Sequence, residues 1–243
     1  MIGVLTWEGP ANGKRKKQIT IGEKSILHMR VWQAEILRGE RTPEPLLRRR
    51  IASAQKKLRK HGVTRIVLPK GFSDCEMQKG LRGVSTLAMR QMLAADWVQR
   101  DLSEEGIRAA GAKVAVVADR FTGEVVRTVT ELALRHRYVL LDVPHGGEEL
   151  SRRLRREYGV SLLLQPDRAQ IDGAEALVLF SPKQELEQKN PVVISLYDEN
   201  AVMPALALAP ALEAKLPQGA NRVQLLAALL QTGVIRAGAD LTF

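Results

Sequence analysis

Residues 114–126 read VAVVADRFTGEVV. The opening run is short, apolar and rich in valine, which suits a strand buried on both faces. Ala-Asp-Arg-Phe-Thr-Gly then interrupts it, and from Gly123 onward apolar residues return at helical spacing, with Thr122 placed as an N-cap. The stretch therefore predicts a strand, a tight loop and a helix. The alternation continues downstream, with strands at 137–143 (RYVLLDV), 161–164 (SLLL), 176–180 (ALVLF) and 192–197 (VVISLY), and a helix at 148–158. In that helix Leu150, Leu154 and Tyr158 share one face, Arg152, Arg153, Arg155 and Arg156 lie off it, and Gly159 supplies the stop. Short apolar strands separated by amphipathic helices predict an α/β fold: a mostly parallel sheet with helices on both faces.

Upstream the pattern is less regular. IGVLTWEG (2–9) reads as a strand, Pro10-Ala11-Asn12-Gly13 as a turn and KKQITIG (16–22) as a second strand, which together predict a β-hairpin with a basic arm. The segment 25–37 fits a strand by the alternation of Leu27, Met29 and Val31, and fits a helix by its length. From Pro43 to Lys60, Leu47, Ile51, Ala54 and Leu58 form one apolar stripe, so a helix is expected there, ended by Gly62 and followed by a strand at 64–69 (TRIVLP). Residues 71–84, with Gly71, Gly80 and Gly83, read as a connection, and a helix from about Thr86 to Leu102 as a spine. Val223, Leu226, Leu229 and Leu230 suggest a final packing helix. The expected organisation is a small basic α/β domain (1–84), a linking helix (85–110) and a larger α/β domain (111–243) that includes the final helix.

The stretch 112–198, through its element order, its first strand-loop-helix unit and the phrase GAEALVLFSP at 173–182, resembles the NAD(P)-binding Rossmann domain of two-domain dehydrogenases such as shikimate dehydrogenase or glutamyl-tRNA reductase. The resemblance implies a nucleotide domain that follows a first domain and a linking helix, with NAD or NADP as cofactor. No catalytic motif of either family stands in the sequence, so it implies a fold more than an activity.

The loop itself departs from that pattern. A dinucleotide loop of the form Gly-x-Gly-x-x-Gly lets the backbone approach a pyrophosphate seated on the helix N-terminus. Here the three glycine positions are Ala118, Arg120 and Gly123. Only Gly123 matches, and close helix-to-strand packing is a structural use for it. Asp119 and Glu124 place negative charge where a diphosphate would lie, whereas Arg120 could pair with a phosphate directly. Asp142 ends the second strand 19 residues beyond Gly123, the usual place of a ribose-binding acid, and is equally an ordinary turn residue. His145, beside Gly146-Gly147, falls at the same end of the sheet. The candidate cofactor-binding set is thus Asp119, Arg120, Thr122, Gly123, Asp142 and His145.

Charge points to a second candidate surface. The net charge is +10, yet residues 1–70 hold 17 Lys and Arg against 5 Asp and Glu, a net of +12, and the remaining residues carry 20 against 22, a net of −2. Lys14, Arg15, Lys16 and Lys17 form one run; Arg48, Arg49 and Arg50, followed by Lys56, Lys57, Arg59 and Lys60, form another. Such a surface attracts phosphates, so nucleic acid is a candidate partner, with Trp7 and Trp32 near it either stacking on bases or packing in a core. The balance of 45% hydrophobic and 26% charged residues is that of a soluble globular protein. The longest uncharged apolar stretches, such as 201–211, fall well short of the roughly 18–20 residues that cross a bilayer, and a cytoplasmic protein without a membrane partner is expected. The single cysteine, Cys75, excludes an internal disulfide framework. His28, His61, His136 and His145 are scattered without metal-ligand spacing, and neither a Gly-x-Ser-x-Gly elbow nor a Walker loop is present. Tyr197-Asp198-Glu199-Asn200 follows a strand at the ligand end and serves equally as a turn. Three functions remain open: a divergent Rossmann-like protein that binds a nucleotide or related anion, a nucleic-acid-binding or scaffold protein, and an oxidoreductase with an unconventional loop. Homo-oligomerisation is also open.

Overall fold

The computed structural model describes residues 1–9, 18–39, 41–72, 77, 79–183 and 186–243; the expected turn at 10–13, the basic run Lys14, Arg15, Lys16 and Lys17, and Cys75 lie outside them. Along the chain the main elements are β1 (Ile2–Glu8), β2 (Ile19–Ile26), β3 (Met29–Leu37), α1 (Glu44–Lys60), β4 (Arg65–Val67), β5 (Arg82–Gly83), α2 (Leu87–Met92), α3 (Ala94–Glu104), β6 (Lys113–Val117), α4 (Gly123–Arg135), β7 (Tyr138–Asp142), α5 (Gly147–Tyr158), β8 (Leu162–Leu164), α6 (Arg168–Asp172), β9 (Ala176–Leu179), β10 (Val192–Ser195), α7 (Pro210–Glu213) and α8 (Arg222–Gln231). They form two compact units, Met1–Thr86 with Leu208–Arg236, and Leu87–Ala207 with Ala237–Phe243.

In the first unit the strand order is β2-β3-β1-β4-β5. β1 runs parallel to both β3 and β4, and β2 alone is antiparallel, paired with β3. The hairpin therefore joins β2 to β3 rather than β1 to β2. Its two-residue loop is Leu27-His28, with φ of 48° and 75°, the doubly left-handed turn that matches strand twist. Burial explains the arrangement. Ile2 to Thr6 are buried without a break, which demands a central position, whereas Glu23, Lys24 and Ser25 are exposed, as an edge strand allows. The ambiguous segment 25–37 is mostly strand β3, held by pairing on both sides. The stripe Leu47, Ile51, Ala54 and Leu58 packs α1 against Leu5, Ala34, Ile36 and Ile66.

The C-terminal segment departs from the expected division. Residues 208–236, expected in the larger domain, belong to the first unit. Asn221 caps α8 by accepting from Gln224 N at 3.2 Å. Gln224 Oε1 accepts from Leu68 N at 2.8 Å, and Arg65 donates to Gln231 at 3.1 Å, so α8 is tied to β4. The expected linking helix is two helices, α2 and α3, both within the second unit.

The second unit holds a five-stranded, fully parallel sheet in the order β10-β9-β6-β7-β8. Numbered from β6, this is the doubly wound order 3-2-1-4-5, and the unit is Rossmann-like. β6 is buried on both faces: Val114 and Val116 join Val98, Val129, Leu132 and Leu154 of α3, α4 and α5, while Ala115 and Val117 join Leu140, Leu177 and Ile171 of α6. The three long helices thus share one face and the five-residue α6 lies on the other. No helix among the described residues is long and apolar enough to cross a membrane, and they contain no cluster of potential metal ligands.

Trp97 and His136 fix the α3–α4 layer. The Trp97 indole N–H donates to Asp101 at 2.8 Å, and Arg135 pairs with Asp96 at 2.5 Å. His136 is buried, and its Nδ1–H donates to the Ala109 carbonyl at 2.9 Å. Its Nε2 is buried without a partner among the described residues, so a proton there would find no acceptor among them. Burial holds the imidazole pKa below its ordinary value, with Arg135 adding to the effect against the Ala109 hydrogen bond. A folded pKa below the unfolded one means that the unfolded chain takes up the proton first, so the contribution is full above about pH 6.5 and is lost as pH falls below it. Denaturant unfolding of the wild type between pH 7.5 and pH 5.5 is expected to show falling stability, and His136→Gln a flatter dependence; equal slopes would contradict this.

Candidate functional site

In a doubly wound sheet, ligands collect outside the carboxyl ends of the strands, where the chain leaves neighbouring strands in opposite directions. Here that point lies between β6 and β9, at Ala118-Asp119 and Phe180-Ser181. The chain's own side chains bridge it. Asp119 N donates to Ser181 Oγ at 3.1 Å, and the Asp119 carboxylate pairs with Lys183 at 2.8 Å. Hydrogen bonds from Lys183, then from Ser181, hold the Asp119 carboxyl below the ordinary carboxylate range.

The N-terminus of α4, the expected pyrophosphate seat, is occupied in the same way. Thr122 accepts from Val125 N at 3.4 Å and is the cap that the sequence predicts. The Glu124 carboxylate takes hydrogen bonds from its own main-chain N–H and from Thr122, which hold its pKa low. An internal carboxylate therefore stands where a phosphate would otherwise meet the helix dipole. Arg120 is exposed and has no ion-pair or hydrogen-bond partner among the described residues. Gly123 does not have the expected packing role: a Cβ there would meet nothing within 4 Å.

The glycine that the site requires is Gly146. Its φ is +81°, and a Cβ on it would lie 2.5 Å from the Phe121 ring, so Phe121 closes the gap between the loops that follow β6 and β7. Ala118 N donates to the Asp142 carbonyl at 3.0 Å and joins the same loops below. Asp142 is half-buried at the end of β7.

Two cavities flank α5. One, of about 510 Å³, is lined by Val143, Pro144, His145, Glu149, Arg152 and Gln165, among others. The second, of about 630 Å³, is lined by Phe121, Val126, Glu149, Leu150, Arg152, Arg153 and Arg156. Of the candidate set, His145 lines the first cavity, while Asp119, Arg120, Thr122, Gly123 and Asp142 line neither. Arg152 lines both, and Arg152 and Arg153 have no carboxylate or hydrogen-bond partner among the described residues; Arg156 stands 3.6 Å from Glu157. These arginines read in the sequence as the solvent face of a helix. Only the position of Phe121, which a one-dimensional pattern does not give, turns that face into a cleft wall.

The other candidate residues have structural partners. Asn200 N donates to Asp198 Oδ1 at 2.8 Å, and Arg90 donates to the carbonyls of Glu199 (2.9 Å) and Ala201 (2.7 Å), so 197–200 is a tied turn. Trp7 meets Phe72 edge-on at 5.2 Å and donates to the Lys70 carbonyl, and Trp32 stacks on His61 at 3.9 Å. Both rings pack on the first unit's core instead of standing free as base platforms. Arg50 donates to the Leu37 carbonyl at 2.5 Å and Arg48 to Glu44 at 2.7 Å, which leaves Arg49 as the member of that run without an ion-pair or hydrogen-bond partner among the described residues.

No protein-family model matches the chain, and no curated protein matches it. Solved structures with partial similarity include several dehydrogenases and a putative aspartate carbamoyltransferase from Trypanosoma cruzi, the latter 11% identical over 96% of this chain and 80% of its own, with a TM-score of 0.30. Shikimate 5-dehydrogenase from Listeria monocytogenes, in complex with shikimate and NAD, is 9% identical over 60% of this chain and 58% of its own, with a TM-score of 0.28. L-tryptophan dehydrogenase from Nostoc punctiforme is 11% identical over 67% and 50%, with a TM-score of 0.31. The NAD-complexed D-isomer specific 2-hydroxyacid dehydrogenase from Lactobacillus delbrueckii ssp. bulgaricus is 13% identical over 54% and 45%, with a TM-score of 0.27. The chain spans about half the length of these dehydrogenases.

The two glycines give a direct contrast. Gly146→Ala is expected to cost about 2–4 kcal/mol in denaturant unfolding, from the left-handed backbone and the collision with Phe121. Phe121→Ala in the same chain should recover the steric share. Gly123→Ala should stay within about 0.5 kcal/mol of wild type.

Proposed function

We propose that the Rossmann-like unit binds a phosphorylated small molecule of mononucleotide size along α5. Arg152, Arg153 and Arg156 act as the phosphate ligands and Phe121 as the apolar wall. The convergence of these three arginines with a partly exposed aromatic ring in one cavity of about 630 Å³ carries the reading. Guanidinium groups pair with phosphate through parallel hydrogen bonds, and a planar base suits the flank of a phenyl ring. A cavity of this size lies in the range of small-molecule sites.

An extended dinucleotide is less well supported. To pass from α5 across the β6 and β9 ends it would have to break the pairing of Asp119 with Lys183 and Ser181 and displace Glu124 from the α4 N-terminus. The reading is therefore nucleotide or phosphate-ester binding without the NAD or NADP geometry of an ordinary dehydrogenase.

Thermal unfolding with ADP, ATP, GTP, NAD, NADP and inorganic phosphate tests it. A ligand at 100 times its Kd adds about 2.7 kcal/mol, and for a chain of this length each kcal/mol raises Tm by roughly 2–4 °C. The double variant Arg152→Gln with Arg153→Gln should weaken binding by about 10-fold or more, whereas Arg120→Gln should leave it unchanged. If none of these compounds raises Tm at millimolar concentration, the reading is wrong.

A further inference from the structure

The outward face of α1 is a continuous cationic strip that the proposed small-molecule site does not use. The helix carries seven Lys and Arg against one acid, Glu44. Three of the seven are engaged locally: Arg48 by Glu44, Arg50 by the Leu37 carbonyl and Arg59 by the Lys79 carbonyl. The other four, Arg49, Lys56, Lys57 and Lys60, are exposed and have no ion-pair or hydrogen-bond partner among the described residues. At about 100° per residue these four fall within an arc of about 100°, opposite the buried stripe of Leu47, Ile51, Ala54 and Leu58. At about 1.5 Å per residue the strip runs about 16 Å from Arg49 to Lys60.

The composition of the strip selects the partner. Four like charges along one face repel one another, and a polyanion relieves that repulsion while it releases its own condensed counterions. Between Arg49 and Lys60 the arc holds only one further residue, Ser53; Leu46, 38% exposed, lies on the same arc one turn earlier, and a single leucine is too little apolar surface to anchor the helix in a bilayer. The apolar stripe of α1 is spent on the core, where Ile51 is 1% and Leu58 0% exposed. Nor, among the described residues, do the nearby tryptophans stand free beside the strip to take unstacked bases: Trp32 lies against His61 and Trp7 against Phe72.

We infer that this face of α1 binds the sugar-phosphate backbone of double-stranded nucleic acid, without sequence preference. Arg49, Lys56, Lys57 and Lys60 each meet a phosphate, and the rigid helix, locked to the sheet by its other face, fixes their spacing. The site is independent of the α5 cleft, and loss of small-molecule binding would not affect it.

Fluorescence anisotropy of two unrelated 20-base-pair DNA duplexes, with the full chain at several salt concentrations, tests the inference. Equal affinity for both duplexes is expected, with log K falling against log salt at a slope of about −3 to −4, since each phosphate neutralised contributes about −0.9. Neutralising Arg49, Lys56, Lys57 and Lys60 together to Gln should lower affinity at least tenfold at about 0.1 M salt and flatten the slope. The single variants Lys56→Gln and Lys60→Gln should each reduce the slope by about one, which keeps the test valid if the fourfold variant fails to fold. Lys215→Gln, an exposed cation outside α1, should leave the slope unchanged. Absence of duplex binding at 50 mM salt would overturn the inference. So would a slope indifferent to the α1 variants, or stronger binding to single-stranded DNA or to phosphatidylserine vesicles than to the duplex.

Discussion

Everything in the second unit is arranged around β6. Its residues Val114 to Val117 are fully enclosed, with β7 on one side, β9 on the other and apolar layers above and below. A strand enclosed this way leaves the chain one exit, at its carboxyl end, and the neighbouring crossovers must diverge there to reach opposite halves of the sheet. The crevice is thus a geometric by-product of burying β6. What fills it is a separate matter, decided by a few residues in the loops.

Those residues seal the crevice with groups of the protein itself. Asp119 and Glu124 provide the negative charge that a bound diphosphate would bring, and Lys183, Ser181 and Thr122 answer it. Phe121 sits over Gly146, where a bound adenosine would cross between loops in a conventional site. Space and positive charge are displaced outward, onto α5. In the proposed site, phosphate would be held by guanidinium groups, which do not need glycine, and not by backbone amides, which do.

Much of this was legible in the sequence because the parallel strands are short, apolar and buried on both faces, and the helices between them are amphipathic. The 114–126 stretch, the Thr122 cap and the α1 stripe all follow from local spacing. What the sequence left open depends on partners far away. The turn composition between β1 and β2 predicts a hairpin there, while β1 is drawn to the sheet centre by unbroken burial and pairs instead with β3 and β4. Gly123 matched a pattern position and Gly146 did not, yet the close approach of Phe121 selects Gly146. By spacing alone the α5 arginines read as a solvated face, because spacing cannot reveal a ring from another loop.

The tie between α8 and β4 bears on how the chain comes to be folded. Gln224 satisfies the amide of Leu68 from 156 residues away, and Gly219 and Asn221 complete the same edge through Lys70 N and the Leu68 carbonyl. Contacts of such separation close a very long loop and form late. During synthesis the amino-terminal sheet must therefore wait, with one flank unfinished, while the whole Rossmann-like unit emerges and folds between its two parts. Until 208–236 arrives, the backbone groups of Leu68 and Lys70, just beyond β4, lack these partners, and a chaperone that shields this segment would be most useful in that interval.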